Sequence, residues 1–268
     1  MFSDDKSMPE DLQIALKLAD ISDEISMQRY QAIDLVIETK PDLTPVSDAD
    51  RAVEHAIRDY LNKHCPNDAI IGEEFGSTSD STNRSWIIDP IDGTKNFIRG
   101  VPVWATLIAL RISNQMQVGV VSAPALGRRW YASSGYGAYV IDNLTNKGKR
   151  RKLGCSKVSQ LSDASMSVSS FDKKDGWQNL QPNLLKLSEQ VWRNRGYGDF
   201  WSHLLVAEGA IDFALEPQLA LWDMAALEAI VCESGGRFSN FAGIDGSTGP
   251  GALSSNRLLH DLVLSQLK

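Results

Sequence analysis

The chain has 268 residues, 43% of them hydrophobic, with 34 acidic and 27 basic side chains and a formal net charge of −7. That apolar content suits one large α/β unit or two closely packed halves and excludes a disordered chain, while the acidic balance gives no support to nucleic-acid or anionic-membrane binding. Cys65, Cys155 and Cys232 are scattered and odd in number, the start over residues 1–10 is polar, and no uncharged apolar run nears the ~20 residues that span a bilayer, so a cytoplasmic protein with reduced thiols is expected.

Residues 10–30 carry Leu12, Leu16, Ala19, Ile21 and Ile25 at helical spacing, with Pro9 suited to a first turn. Residues 33–39 alternate and predict a strand that Lys40-Pro41-Asp42 breaks. A second helix follows Ser47, with Val53, Ile57 and Leu61 on its apolar face. The short apolar run 69–72 ends in Glu73-Glu74, and residues 77–84 form a polar Ser/Thr-rich loop. Closely spaced strands are predicted over 86–89, 104–112, 117–122, 129–133 and 138–141, in an antiparallel or mixed sheet. The basic stretch 147–152 lacks interleaved aromatics and reads as a solvated hairpin tip.

Beyond about residue 155, strand and helix alternate. Strands are expected over 165–170, 211–215, 237–241 and 252–254, and helices over 182–191, 200–210, 222–233 and 257–267, the third stopped by Gly235-Gly236. The expected division is an N-terminal α+β half, 1–150, carrying most metal-type ligands, and a C-terminal α/β half, 151–268, completing the site.

The strongest chemical signal is Trp86-Ile-Ile-Asp89-Pro90-Ile91-Asp92-Gly93-Thr94, an apolar strand that delivers two carboxylates into a turn set by Pro90 and Gly93. Taken alone it reads equally as ligands for a hard divalent cation or as a turn that uses Asp and Gly for their backbone conformations. Glu73-Glu74 and Trp222-Asp223 add carboxylates at the ends of apolar segments. Asp223 alone would also suit a helix N-terminus, but such a set without a His or Cys cluster favours Mg²⁺ over Zn²⁺.

Gly72-Glu73-Glu74, Asp89-Pro-Ile-Asp92-Gly-Thr94 and Trp222-Asp223, in that order, resemble the inositol monophosphatase superfamily of lithium-sensitive phosphatases, from about residue 10 to the C-terminus. The resemblance implies a layered αβαβα fold of mixed α+β and α/β character, a homodimer, and Mg²⁺-dependent hydrolysis of a small phosphate ester by activated water. It implies metal ligation by Glu73, Asp89, Asp92, Asp223 and the carbonyl of Ile91, with Glu74 less clearly a ligand. It also implies that Thr94, paired with Asp50, activates the water with Glu73 beside them; backbone amides near Gly93, Thr94 and Lys95 are then expected to cradle the phosphate oxygens. Asp50 also fits a capping box begun by Ser47, and Lys40 suits either the metal's neighbourhood or solvent.

Covalent chemistry of the haloacid-dehalogenase type is disfavoured, because Pro90-Ile91 puts one residue too many between the two aspartates. No Gly-x-Ser-x-Gly is present, and His55 and His203 sit in helical patterns as packed or surface residues. The string 96–105 with Gly198-Asp199-Phe200 is similar to the bacterial histidinol-phosphate phosphatases of this superfamily. Asp199 and Glu216 would then receive the cationic nitrogen of such a substrate. Against this stand a helix cap for Asp199, an inositol or other polyol phosphate as substrate, and a catalytically silent binding protein. Phe200 and Trp201 are offered either to an imidazole or to the helix core, and Arg99 to substrate, a dimer neighbour or solvent.

Overall fold

The computed structural model describes residues 8–41, 43–78, 83–145 and 147–268. The apolar spacing of the N-terminal segment becomes α1 (Glu10–Arg29), which buries Leu12, Ala15, Leu16, Leu18 and Ala19. A short hairpin follows, β1 (Ile37–Thr39) antiparallel to β2 (Pro45–Ser47), and then α2 (Asp48–His64), which buries Val53, Ile57 and Leu61. The strand expected over 33–39 shrinks to its last three residues, all exposed; the chain before them is held in turns by Ala32 N–H to Arg29 O and Leu35 N–H to Ala32 O. Alternation without a buried face does not make a strand.

The larger sheet contains β3 (Ala69–Gly72), β4 (Gly76–Ser77) and β5 (Arg84–Asp92), followed by the short helix α3 (Thr94–Ile98). It continues through β6 (Ala105–Ile112), β7 (Gln115–Ala123), β8 (Arg128–Ser133), β9 (Gly137–Asp142) and β10 (Arg150–Lys152). Its eight strands run in the order β10-β9-β8-β7-β6-β5-β3-β4, antiparallel except for the parallel pair β3–β5. The basic stretch ends in the exposed edge strand β10, the hairpin the sequence predicts; its Asn146, and residues 79–82 of the polar loop, lie outside the described residues.

The smaller sheet is built from β11 (Ser165–Val168), β12 (Arg193–Arg195), β13 (Phe213–Glu216), β14 (Arg237–Ser239) and β15 (Ala252–Ser255), interleaved in the chain with α4 (Gln181–Gln190), α5 (Asp199–Ala207), α6 (Leu221–Glu233) and α7 (His260–Leu267). Its strand order is β12-β11-β13-β15-β14. The edge strand β12 and helix α3 were not anticipated, and the last helix begins later than expected because Arg257 takes a positive φ of 72°.

Three apolar interfaces stack these elements into αβαβα layers. Helices α1 and α2 cover one face of the larger sheet over Trp86, Ile88, Leu110 and Tyr131. Helices α5 and α6 fill the space between the sheets, where Phe200, Leu204, Leu227 and Ile230 meet Leu107, Val121 and Trp130. Helices α4 and α7 close the outer face of the smaller sheet through Leu184, Leu187, Val263 and Leu267. Gly119 on β7 lets α6 lie close, since a Cβ there would come within 2.5 Å of Ala226 O and 2.9 Å of Ala229 Cβ. The αβαβα expectation holds.

Candidate active site

Strand β5 does not stop at Pro90 in a turn, as its sequence suggested. It continues to Asp92 and carries one residue more than β6 between the pairs Asp89–Leu107 and Asp92–Ala105. Proline lacks the N–H a regular ladder needs and is tolerated at such a bulge, where Thr106 Oγ1 donates to Pro90 O at 2.8 Å. The bulge changes the facing of the strand, so Asp89 and Asp92 reach a common point with Asp223 from the first turn of α6. Carboxylate oxygens of the three lie within 4.8 Å of one another, the one such cluster among the described residues.

Each of these aspartates is also tied to backbone. Asp89 Oδ1 accepts Ile91 N–H at 3.0 Å, Asp92 Oδ2 accepts Phe200 N–H at 2.9 Å, and Asp223 Oδ2 accepts Ala220 N–H at 2.7 Å. The helix-terminal role considered for Asp223 is therefore real and coexists with the cluster. Burial raises Asp89 well above the usual carboxylate range, with Glu73, Asp92 and Asp223 adding to it, and raises Asp92 likewise, with Asp199 and Asp223 adding. Burial also pushes Asp223 up to about 7, against the opposite pull of the Ala220 amide. Among the described residues no basic side chain pairs with any of the three. Buried like charges in this arrangement need protons or a cation, and an all-oxygen donor set fits a hard divalent metal.

Glu73 and Glu74 follow β3. Lys40 Nζ bonds Glu73 Oε1 at 2.8 Å and Glu74 Oε1 at 2.6 Å, so Glu73 faces an ammonium while its charge still acts on Asp89 and Asp223. Beneath this turn sits Glu54, whose carboxylate accepts Glu74 N–H at 2.7 Å, Phe75 N–H at 3.2 Å and Arg58 Nε at 2.8 Å. A Cβ at Gly72 would collide with that carboxylate. The sequence reading passed over Glu54; its signal was an acid one helical turn from Asp50 on α2, with Arg58 a further turn along.

The fully buried Asp50 serves two geometries at once. Its Oδ2 accepts Ser47 N–H at 2.8 Å and Ser47 Oγ at 2.6 Å, while Oδ1 lies 3.2 Å from Thr94 Oγ1. Burial raises its carboxyl above the usual range against the pull of the Ser47 bonds. Thr94 Oγ1 is also 3.1 Å from Ile91 O. Gly93 opens α3 at φ 83°, where a Cβ would come within 3.0 Å of Val103 O and 3.1 Å of Asp199 Oδ2, so glycine is required on two grounds.

Asp199 is the first residue of α5, not its cap; the N-cap is Gly198. It holds a positive φ of 38°, and its Oδ2 accepts Asn96 Nδ2 at 2.8 Å. Burial, then nearby Glu216, raise its carboxyl to about 6. Glu216 ends β13, with His203 Nε2 3.5 Å from its Oε2. Phe200 is buried against Trp130 with ring centroids 6.0 Å apart, which removes it from contact with a ligand, and half-buried Trp201 packs edge-on to Tyr197 at 6.2 Å. Arg99 is exposed, as are His55 and His64.

The order of these groups along the chain has a counterpart in known proteins, since the family model for the inositol monophosphatase family matches residues 8–268. The chain belongs to the inositol monophosphatase family. Among relatives of this family member, the histidinol-phosphatase of Mycobacterium tuberculosis is 51% identical over 260 residues, which cover 96% of this chain and 98% of that protein. The histidinol-phosphatase of Streptomyces coelicolor is 50% identical over 267 residues, covering 96% and 97%. An IMPase of Thermotoga maritima superposes with a TM-score of 0.83 at 28% identity and covers 97% of each chain.

Proposed function

We propose that this chain is a Mg²⁺-dependent phosphoric monoester hydrolase that converts L-histidinol phosphate to L-histidinol and phosphate in histidine biosynthesis, using water and no covalent intermediate. The observation that carries the reading is the placement of two acids next to the aspartate cluster: Asp199 at the start of α5, against Gly93 and Asn96, and Glu216 at the end of β13, both close enough to act on Asp92. Two carboxylates beside a phosphate site suit a substrate with a cationic nitrogen better than a neutral polyol. The two histidinol-phosphatase relatives support the same choice.

Asp89, Asp92, Asp223, Glu73 and the Ile91 carbonyl would hold the metal, which when bound neutralises the phosphate dianion and acidifies the attacking water. Thr94 Oγ1 takes a proton from that water as it gives its own to Asp50 Oδ1, and the raised affinity of buried Asp50 for protons favours the transfer. Amides of Gly93 and Thr94 receive phosphate oxygens at the start of α3, where first-turn N–H groups have no intrahelical acceptor. The half 1–150 supplies most of the metal ligands and 151–268 completes the site; the enzyme works in the cytoplasm as a homodimer. The test is phosphate release from histidinol phosphate, inositol monophosphates and adenosine bisphosphate, with Mg²⁺ or a chelator present. Preference for histidinol phosphate, abolished by chelation, is expected; preference for an inositol phosphate overturns the substrate assignment.

A further inference from the structure

One turn along α5 from Asp199 stands His203, whose helical pattern in the sequence suits a packed or a surface residue. His203 is 1% exposed, with its ring 5.9 Å from that of Phe238. Its Nδ1 lies 2.6 Å from Ser254 Oγ on β15, and its Nε2 lies 3.5 Å from Glu216 Oε2 at the end of β13. These strands pair antiparallel, with Ala214 opposite Ser254 and Glu216 opposite Ala252. The imidazole thus links the middle of β15 to the carboxylate at the tip of its neighbour.

Nε2 is buried and has no hydrogen-bond partner. An unsatisfied buried donor is costly, and an apolar ring would fill the same space without that cost. The polar ring is explained if Nε2 acts on the carboxylate it faces. With the Ser254 hydroxyl donating to Nδ1, Nε2 carries the proton, and the 3.5 Å separation is just beyond a hydrogen bond, so a small shift of Glu216 completes it.

We propose that His203 is a positioning residue: its Nε2–H holds Glu216 Oε2, which leaves the other oxygen of Glu216 turned to the substrate's cationic nitrogen beside Asp199. This rests on the histidinol-phosphate reading above, and it adds selectivity exerted from behind the site by a group that does not touch substrate.

The experiment compares kcat and KM for histidinol phosphate and 4-nitrophenyl phosphate at saturating Mg²⁺. The variants are His203→Phe, His203→Asn, Glu216→Gln, and His203→Phe combined with Glu216→Gln. His203→Phe should raise KM for histidinol phosphate about tenfold with a smaller effect on kcat, lowering the ratio of the two kcat/KM values by about the same factor. His203→Asn, which keeps a donor, should recover part of that loss. The double variant should be no worse than Glu216→Gln alone, because both changes remove one interaction. Should His203→Phe fail to fold, Ser254→Ala frees the imidazole from its partner and should lower the same ratio. Equal losses on both substrates, multiplied losses in the double variant, or an unaltered ratio in Ser254→Ala in that case overturn the proposal. A wild-type ratio near one brings down the substrate reading and this proposal with it, whereas a high wild-type ratio that survives His203→Phe overturns this proposal alone.

Discussion

Thr94 and Asp50 are 44 residues apart in the chain and lie on different helices, yet the Thr94 hydroxyl sits 3.2 Å from Asp50 Oδ1. The capping bonds from Ser47 engage Asp50 Oδ2 and leave Oδ1 to the threonine. One carboxylate therefore fixes the start of α2 and orients the hydroxyl that would receive a proton.

Thr94→Ala should lower kcat by ~10²–10⁴-fold, the usual worth of a positioned proton acceptor. Substrate affinity, measured by calorimetry, should stay close to the wild-type value, and Thr94→Ser should retain most of the activity. If Thr94→Ala loses substrate binding together with turnover, the hydroxyl is structural and the proton route is wrong.

The aspartate cluster predicts opposite effects on stability and activity. At neutral pH without divalent metal, replacing Asp89 with Asn removes a buried carboxylate that burial and its acidic neighbours disfavour in charged form. The amide can still accept from Ile91 N–H, so Tm of the metal-free protein should hold or rise. The increase in Tm on adding Mg²⁺ should shrink sharply and turnover should vanish, and Asp92→Asn and Asp223→Asn should behave alike. Near-normal rates in any two of these variants at ordinary Mg²⁺ would exclude the assigned ligand set.

How far this site is legible in the sequence depends on where each residue's partner lies. Asp89, Asp92 and Asp223 stand at the ends of apolar runs, and a local pattern reveals them. Lys40, Glu54, Asn96 and His203 do not end apolar runs, and what each does lies in a contact with a distant segment: Lys40 on Glu73, Glu54 on the Glu74 amide, Asn96 on Asp199, His203 toward Glu216. The fold divides likewise. Helices with a buried face, such as α2, are readable by spacing, whereas the bulge at Pro90 depends on the register against β6 and reads locally as a turn.

Asp199 should act on selectivity and not on proton handling. Asp199→Ala is expected to reduce kcat/KM for histidinol phosphate about ten- to hundredfold, the worth of one charge-assisted hydrogen bond, with a much smaller effect on a generic phosphate ester. Because its carboxylate is held by Asn96 Nδ2 at 2.8 Å, Asn96→Ala should move the same ratio in the same direction. Equal losses on both substrates would mean that the change disturbs α5 as a whole.

His260 links stability to pH at a position away from the active site. Its Nε2 is 2.8 Å from Ser239 Oγ and its Nδ1 is 2.8 Å from Ser255 Oγ. Ser239 Oγ donates to Asn240 O, so it accepts from Nε2–H; Ser255 Oγ accepts Arg257 N–H and is free to donate to Nδ1. That arrangement suits a neutral ring, and burial, with Arg237 adding to it, pushes the imidazole down to about 4 from 6.5. Below about pH 6.5 the unfolded chain takes up a proton that the folded chain refuses. Stability is therefore lost as pH falls toward 4, by roughly 3 kcal/mol at most. Carboxylates elsewhere titrate in the same window, so the measurement is a difference: urea unfolding of wild type and His260→Gln from pH 7.5 to 4.5. The variant should be less stable at pH 7.5 because it loses a serine bond, and its stability should decline less steeply with acid. Parallel curves would mean that the folded protein takes up the His260 proton as readily as the unfolded chain does, so that burial does not hold the ring neutral.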